Sequence, residues 1–261
     1  MEMVLWMRRT LRLMFSWLVN MVSSCHGMST NLELIHLNSQ VRSLPRDAAA
    51  IGNYYGYTDL MPCIRRFLYD QLNPEAVIPG DQVNLDICPI LYGHLKVYKS
   101  ATAVYYAPSD QSGKGGMHRD IIQCTFSWRG GPARWDSVFI KNGGGEGDGF
   151  RGLLVARVLL LFSFHHMQKT YKAALIDWFL RVMEQPDNLT GMWIVAPEED
   201  RWGQHIHAVV LLDTILRPAH LIPVYGDAMV PIDFRFTDCL DAFRAYYVNK
   251  YIDHHSHTIA F

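Results

Sequence analysis

Apolar runs long enough to span a bilayer, paired cysteines, internal repeats and an excess of charge of one sign are all missing from this 261-residue sequence, and each absence removes a class of protein. Twenty-four Lys and Arg stand against twenty-five Asp and Glu, a formal net charge of -1. Non-specific nucleic-acid binding is neutralisation of phosphates by basic side chains, so any such contact has to come from a local patch. The five cysteines, Cys25, Cys63, Cys88, Cys124 and Cys239, are scattered singly, without a C-x-x-C pair and with an odd total. That pattern fits reduced, mostly buried thiols of an intracellular protein better than a disulfide framework or a zinc site. No period of about 20–50 residues marks a solenoid. Neither G-x-S-x-G nor a lone cysteine beside a patterned His and Asn occurs, so the sequence holds no nucleophile motif. The expectation is a protein that is not an enzyme and uses no cofactor. What is present is a composition 49% hydrophobic and 12% aromatic, enough to bury a sizeable core in one or two globular units.

The first 28 residues carry two readings. Arg8, Arg9 and Arg12 precede LMFSWLVNMV, eight apolar residues in ten, and Val22-Ser23-Ser24 follows as a small-residue cleavage site, the order of a secretory signal. The apolar part, about ten residues, is too short to span a bilayer. Against this, Arg8, Arg12, Ser16, Asn20, Ser23 and Gly27 recur every three or four residues, one polar stripe on an amphipathic helix. Such a helix packs on the rest of the protein or lies in a membrane surface through residues 1–25. The sequon Asn188-Leu189-Thr190 matters only in the secreted case.

Residues 29–82 read as helical and connecting. Leu60, Ile64, Phe67, Leu68 and Leu72 fall at helical spacing, with Thr58 or Asp59 as N-cap, Pro62 in the first turn and Asn73-Pro74 ending the run. From 83 to 230 short β-branched and aromatic runs alternate with Gly, Pro, Ser and Asp clusters, which predicts a mostly antiparallel sheet. Leu153 to Phe164 is apolar at nearly every residue and reads as a central strand. Leu159, Leu161, Phe162, Ile176, Trp178 and Leu211 form the expected core. Residues 231–261 read as a closing helix from Phe236 to His257, capped by Thr237 or Asp238, with Leu240, Phe243, Tyr247 and Tyr251 as its apolar stripe. The fold class is therefore α+β: a small, barrel-like β domain similar in strand pattern to SH3-like and bromo-adjacent-homology barrels, with N-terminal helices and a C-terminal helix.

Lys114, His118, Arg119, Arg129 and Arg134, interleaved with Trp128 and Trp135, make the best basic and aromatic stretch, a mixture able to grip phosphates and stack on bases or to line a peptide or methyl-lysine pocket. The plainer reading puts the tryptophans in the core and pairs the arginines with acids. His205-x-His207 sets two imidazoles on one face of a strand, a metal-ligand spacing, although nothing in the sequence supplies further ligands and rim histidines explain it as well. His254, His255 and His257, with Asp253, are the densest cluster of potential ligands; at a chain end they read as helix caps. The glycine-rich stretch 142–149 holds Glu146 and Asp148 and reads as a flexible connection, not a phosphate cradle or calcium repeat. Glu198, Glu199 and Asp200 read as a solvent-facing charge run.

One block, Tyr105 to His257, carries YYAPSD, GGM-H-R, SWRGGP-R-W-D, the DWF at 177, the TGMW at 190, HLIPVYG and VNKYIDHH in this order. It resembles the C-terminal region of Plavaka-type transposase-like proteins of mushroom-forming fungi, with a weaker likeness back to LPRDAAAIG and RRFLYDQLNP. In that family a comparable stretch follows the catalytic part, which cuts DNA with three carboxylates on an RNase H-like core. No segment here looks like that core. The resemblance implies a non-catalytic interaction module derived from a transposase, intracellular and nuclear in setting, whose partner is protein or nucleic acid. The alternatives are a secreted or membrane-associated protein and, third, a metal-dependent hydrolase built on His205, His207 and the C-terminal histidines.

Overall fold

Fourteen residues from Leu153 to His166 and thirteen from Lys169 to Arg181 form the central hairpin, β6 and β7. Leu153 to Phe164 of β6 and Ala173 to Leu180 of β7 are apolar on nearly every residue, which suits strands covered on two sides. Met167 and Gln168 join them with φ of 45° and 64°, the doubly left-handed geometry of a tight hairpin turn. The structure, a computed structural model, describes residues 34–108, 113–141, 150–226 and 229–261. The N-terminal amphipathic or signal-like stretch, Cys25 and the loop 142–149 lie outside the described residues.

The other strands are β1 (Leu34–Val41), β2 (Lys96–Tyr106), β3 (Met117–Thr125), β4 (Arg134–Trp135), β5 (Ser137–Lys141), β8 (Ile194–Pro197), β9 (His207–Leu211), β10 (Ile215–Ala219), β11 (Leu221–Pro223) and β12 (Tyr246–Val248). All pairings are antiparallel, in the order β11-β12-β8-β7-β6-β2-β3-β4, with β1 on β2, β9 on β7, and β5 bridging β6 and β10. The helices are α1 (Ala48–Tyr55), α2 (Leu60–Leu72) and α3 (His254–Ala260).

Three apolar clusters hold these elements. On one face of the β6–β7 hairpin, Leu160, Phe162, Phe164, Tyr171, Ala173 and Leu175 pack against Ile51 of α1 and Leu60, Ile64, Phe67 and Leu68 of α2. Farther along the same face, Val155 and Phe179 join Phe139, Trp193, Val195, Tyr246 and Val248. On the opposite face, Ala156, Val158, Leu161, Ala174, Ile176 and Trp178 meet Ala101, Ala103, Ile122, Val138, Ile140 and Ile215, because the sheet curls and brings β10 against β2 and β3.

The α+β class and the central strand are as the pattern predicts, and of the six expected core residues all but Leu211, which is half-buried, are buried. Three expectations are corrected. The curled sheet is not closed: β11, three residues ending in Pro223, and β4, two residues, terminate its path unpaired with one another. Residues 34–41 are a strand, because Ile35 and Leu37 alternate with His36 and Asn38 and pack on the curled face. No helix runs from Phe236 to His257. A 3-10 turn (Phe236–Asp238), β12 and α3 replace it, since Tyr246 and Val248 are wholly buried once β12 pairs with β8 and β11. Long-range pairing overrides helical spacing there. Among the described residues no helix is long and apolar enough to cross a membrane.

Candidate functional site

Ser137, Arg157, Asp177 and His207 are direct cross-strand partners on β5, β6, β7 and β9, so their side chains share one face. They form a polar row between the two apolar clusters of that face. His207 Nδ1 lies 2.8 Å from both carboxylate oxygens of Asp59, at the start of α2, and its Nε2 lies 3.2 Å from Asp177 Oδ1; His205 Nδ1 lies 3.3 Å from Asp177 Oδ2. Arg157 pairs with Asp241 and stacks on Trp135 at 5.4 Å. Burial lifts the Asp177 carboxyl above its usual range, against the pull of His207 and His205. Burial alone would lower His207; the hydrogen bond to Asp59 and the charges of Asp177 and Asp59 outweigh it, and the imidazole is raised.

The chemistry of this row is limited. The imidazole of His207 is engaged at both nitrogens by different carboxylates. Cys63 touches Asp59 and the His207 carbonyl oxygen, not the ring, and burial pushes its thiol up to about 12, so no thiolate is available at neutral pH. Among the described residues no three His, Cys, Asp or Glu side chains are placed to hold a metal ion. The sequence reading located His205 and His207 but not Asp59 and Asp177, their partners.

A second cluster gathers residues from four distant segments. Arg217 of β10 donates to Asp253 through Nη1 at 3.0 Å and Nη2 at 2.6 Å, and reaches Asp120 at 3.3 Å. The Tyr105 hydroxyl donates to Asp120 at 2.6 Å; its ring lies under the Arg217 guanidinium at 4.6 Å and stacks with His255 at 4.9 Å and His118 at 6.0 Å. Because arginine only donates, His255 Nδ1, 3.1 Å from Arg217 Nη1, accepts. Asp253 caps α3 by accepting from the Ser256 amide. The helix-capping reading of His254, His255 and His257 is thus corrected: the helix begins at His254, and only His257 lies in its last turn. This cluster clasps α3 to the sheet.

The basic and aromatic stretch is split in two. His118 and Arg119 open β3, with Lys114 just before, whereas Trp128, Arg129 and Arg134 follow its far end, about 20 Å away for a strand of that length. His118 turns toward Tyr105; Lys114 and Arg119 are exposed. At the far end the Trp128 ring carries two guanidinium groups, Arg129 and Arg134, each 4.7 Å from its centroid. Arg129 has φ 53° and Gly130 φ 76°, and the Gly131 amide bonds back to the Trp128 carbonyl at 2.9 Å, a tight turn with a bulky residue in the left-handed region. Arg134 is also braced by Asp136 at 2.7 Å. Trp135, with Phe126 edge-on at 5.1 Å, points instead toward Arg157. Phe126 and Tyr54, both exposed, extend the aromatic surface through Tyr55.

Glu198, expected in solvent, is buried, its amide bonded to the Trp178 carbonyl at 2.8 Å, while Asp200 is consumed in a turn. No family model, curated protein or solved structure matches this chain.

Proposed function

We propose that this protein is a non-catalytic interaction module that grips single-stranded nucleic acid through the turn around Trp128, with a transposase-derived, nuclear setting as its context. The observation that carries the reading is Arg129, held at φ 53° with its guanidinium on the Trp128 ring. A left-handed arginine costs about 1–2 kcal/mol over glycine, strain that the fold of the turn does not require. Trp128, Phe126 and Tyr54 supply planes for bases, and Arg129 a phosphate contact. The described cysteines are all free, in keeping with a reducing compartment. The charge-paired row and the Arg217 cluster tie strands and helices together and serve the fold.

Binding of a fluorescent single-stranded oligonucleotide, followed by anisotropy against salt, tests this. Each phosphate contact contributes a slope of about -0.7, so Arg129→Gly should flatten the dependence by about that amount. Because glycine suits this φ, the variant should fold as well as or better than the parent. Salt-insensitive binding, or binding untouched by Arg129→Gly and Trp128→Ala, would overturn the proposal.

A further inference from the structure

Ten buried side-chain nitrogen and oxygen atoms among the described residues make no hydrogen bond, and five of them belong to residues gathered around Arg157. They are Trp135 Nε1, Ser137 Oγ, Arg157 Nε, Asp177 Oδ1 and the Tyr246 hydroxyl oxygen. Strand register brings them together. Ser137, Arg157 and Asp177 are direct neighbours across β5, β6 and β7, and the Trp135 ring, two residues before Ser137, lies under the Arg157 guanidinium at 5.4 Å. Tyr246 of β12 meets Phe179, two residues beyond Asp177, edge-on at 5.6 Å. Burial pushes the Tyr246 hydroxyl up to about 12; the Phe243 amide facing its oxygen and the nearby Arg157 charge pull it down, and Asp241 adds to the rise. The hydroxyl proton has no acceptor. Exposure is 4% for Ser137, 7% for Arg157, 6% for Asp177 and 0% for Tyr246, so bulk solvent does not serve them. Buried polar groups without partners are rare in folded proteins, and a concentration of them needs a cause.

The neighbouring side chains are already committed. Arg157 gives Nη1 and Nη2 to Asp241, and Asp177 Oδ2 is turned to His205. Asp177 Oδ1 lies 3.2 Å from His207 Nε2, out of line for a hydrogen bond. What fits the five atoms follows from their chemistry. Trp135 and Arg157 only donate, the two hydroxyls donate or accept, and Asp177 Oδ1 accepts. An anion here would face Asp177 and a cation would face Arg157, and the countercharges of both residues are already in place. A neutral molecule that both donates and accepts meets all five, and an enclosed position selects the smallest one, water. Ser137 and Asp177 stand two strand spacings apart, about 10 Å, whereas one water joins groups no more than about 6 Å apart. One molecule is therefore too few.

We infer that the polar row holds at least two buried waters, which join Trp135, Ser137, Arg157, Asp177 and Tyr246 into one hydrogen-bonded network. The waters satisfy donors and acceptors without neutralising charge, so Asp177 still depends on His207. What they add is reach. Trp135 on β4 and Tyr246 on β12 are tied to the row by bonds that no side chain makes directly.

A crystal structure of the full chain, at a resolution that shows ordered water, is the direct test. It should place two or more waters, each within about 3.2 Å of at least two of the five atoms. An interior in which the five atoms bond to protein groups, with no water among them, overturns the inference. A bromide soak checks the class of ligand: anomalous scattering at the site would replace water by an anion. In solution, relaxation dispersion of water deuterons counts the molecules held far longer than bulk. Ser137→Ala/Tyr246→Phe removes two of the five partners and should lower that count by at least one. Neither change adds volume, and circular dichroism checks that the variant folds; the crystal test does not depend on it. A count that stays the same overturns the inference as well.

Discussion

Replacing His207 by Leu should destabilise the protein by about 3 kcal/mol at pH 6, and its neighbours set that figure. Breaking a buried ion pair costs about 3–5 kcal/mol because one charge is left without a partner in a medium that cannot solvate it. The Asp177 side chain is only 8% exposed and cannot recover water, whereas Asp59, at 44%, can. His205, 3.3 Å from Asp177, keeps part of the compensation, which puts the cost at the lower end of the range. Removing both partners in Asp177→Leu/His207→Leu should bring stability back to within about 1 kcal/mol of the parent, since apolar replacements of buried pairs are often neutral or better. Urea titrations with unchanged m give both numbers, and the double-mutant cycle should return a coupling of at least about 2 kcal/mol, larger by whatever Asp177→Leu costs alone. A His207→Leu cost below about 1 kcal/mol, or a double variant as weak as the single, would refute the reasoning. The pH sense follows from the raised His207 imidazole: its contribution is complete below the unfolded value of about 6.5 and is lost as pH rises through the folded value. The parent's stability relative to the double variant should therefore fall as pH rises above about 6.5 and through the raised folded value.

Leu161, wholly buried on the curled face, should cost about 2–5 kcal/mol as Leu161→Ala, read from the same titrations. Asp70 accepts from the Gly80 amide at 2.6 Å, yet burial lifts its carboxyl to about 6. A raised acid contributes its stability below the unfolded value near 3.9 and loses it as pH rises to about 6, so Asp70→Asn should stabilise at pH 8 and not at pH 4. Gly80→Ala should be destabilising, because the added methyl would stand 2.4 Å from the Arg66 carbonyl oxygen, a backbone atom with little room to yield; its thermal midpoint reads this. The purified chain should not cleave DNA with magnesium or manganese, because a two-metal site needs clustered carboxylates; cleavage lost on mutating an acid would contradict that.

Helix α2 and strands β6 and β7 were legible because their signals are local: apolar residues at helical spacing between Asp59 and Asn73, and two apolar runs longer than any turn-bounded neighbour. Strand β12 was not. Leu240, Phe243, Tyr247 and Tyr251 keep helical spacing, but Tyr246 and Val248 bury more completely as a strand between β8 and β11, and those partners lie about 50 and 25 residues upstream. The histidine pair was visible as H-x-H, whereas Asp59, 148 residues from His207, is brought to it only by the packing of α2 on β9. A usable signal did exist. Arg157 and Asp177 are lone charges inside apolar strands, LLVARVLLL and AALIDWF, and a charge in such a run needs a partner. Trp128 was found by composition; its isolation from Lys114 and Arg119 depends on where β3 begins and ends.

The polar row also bears on why this open sheet keeps one register. A strand that is apolar on both faces has little to fix its alignment, since sliding by one residue exchanges one set of apolar side chains for another. In β6 and β7, Leu, Val and Ala populate both faces, and the hairpin turn alone would have to hold eleven pairs in place. Arg157 and Asp177 remove that freedom. A one-residue slip would carry either charge onto the curled face among Ala156, Val158, Ile176 and Trp178, where neither Asp241 nor His207 can reach it. The cost of an unpaired buried charge, several kcal/mol, then falls on every slipped alignment and not on the native one. Asp59 extends the same selection to α2, whose docking on β9 is correct only when His207 faces it.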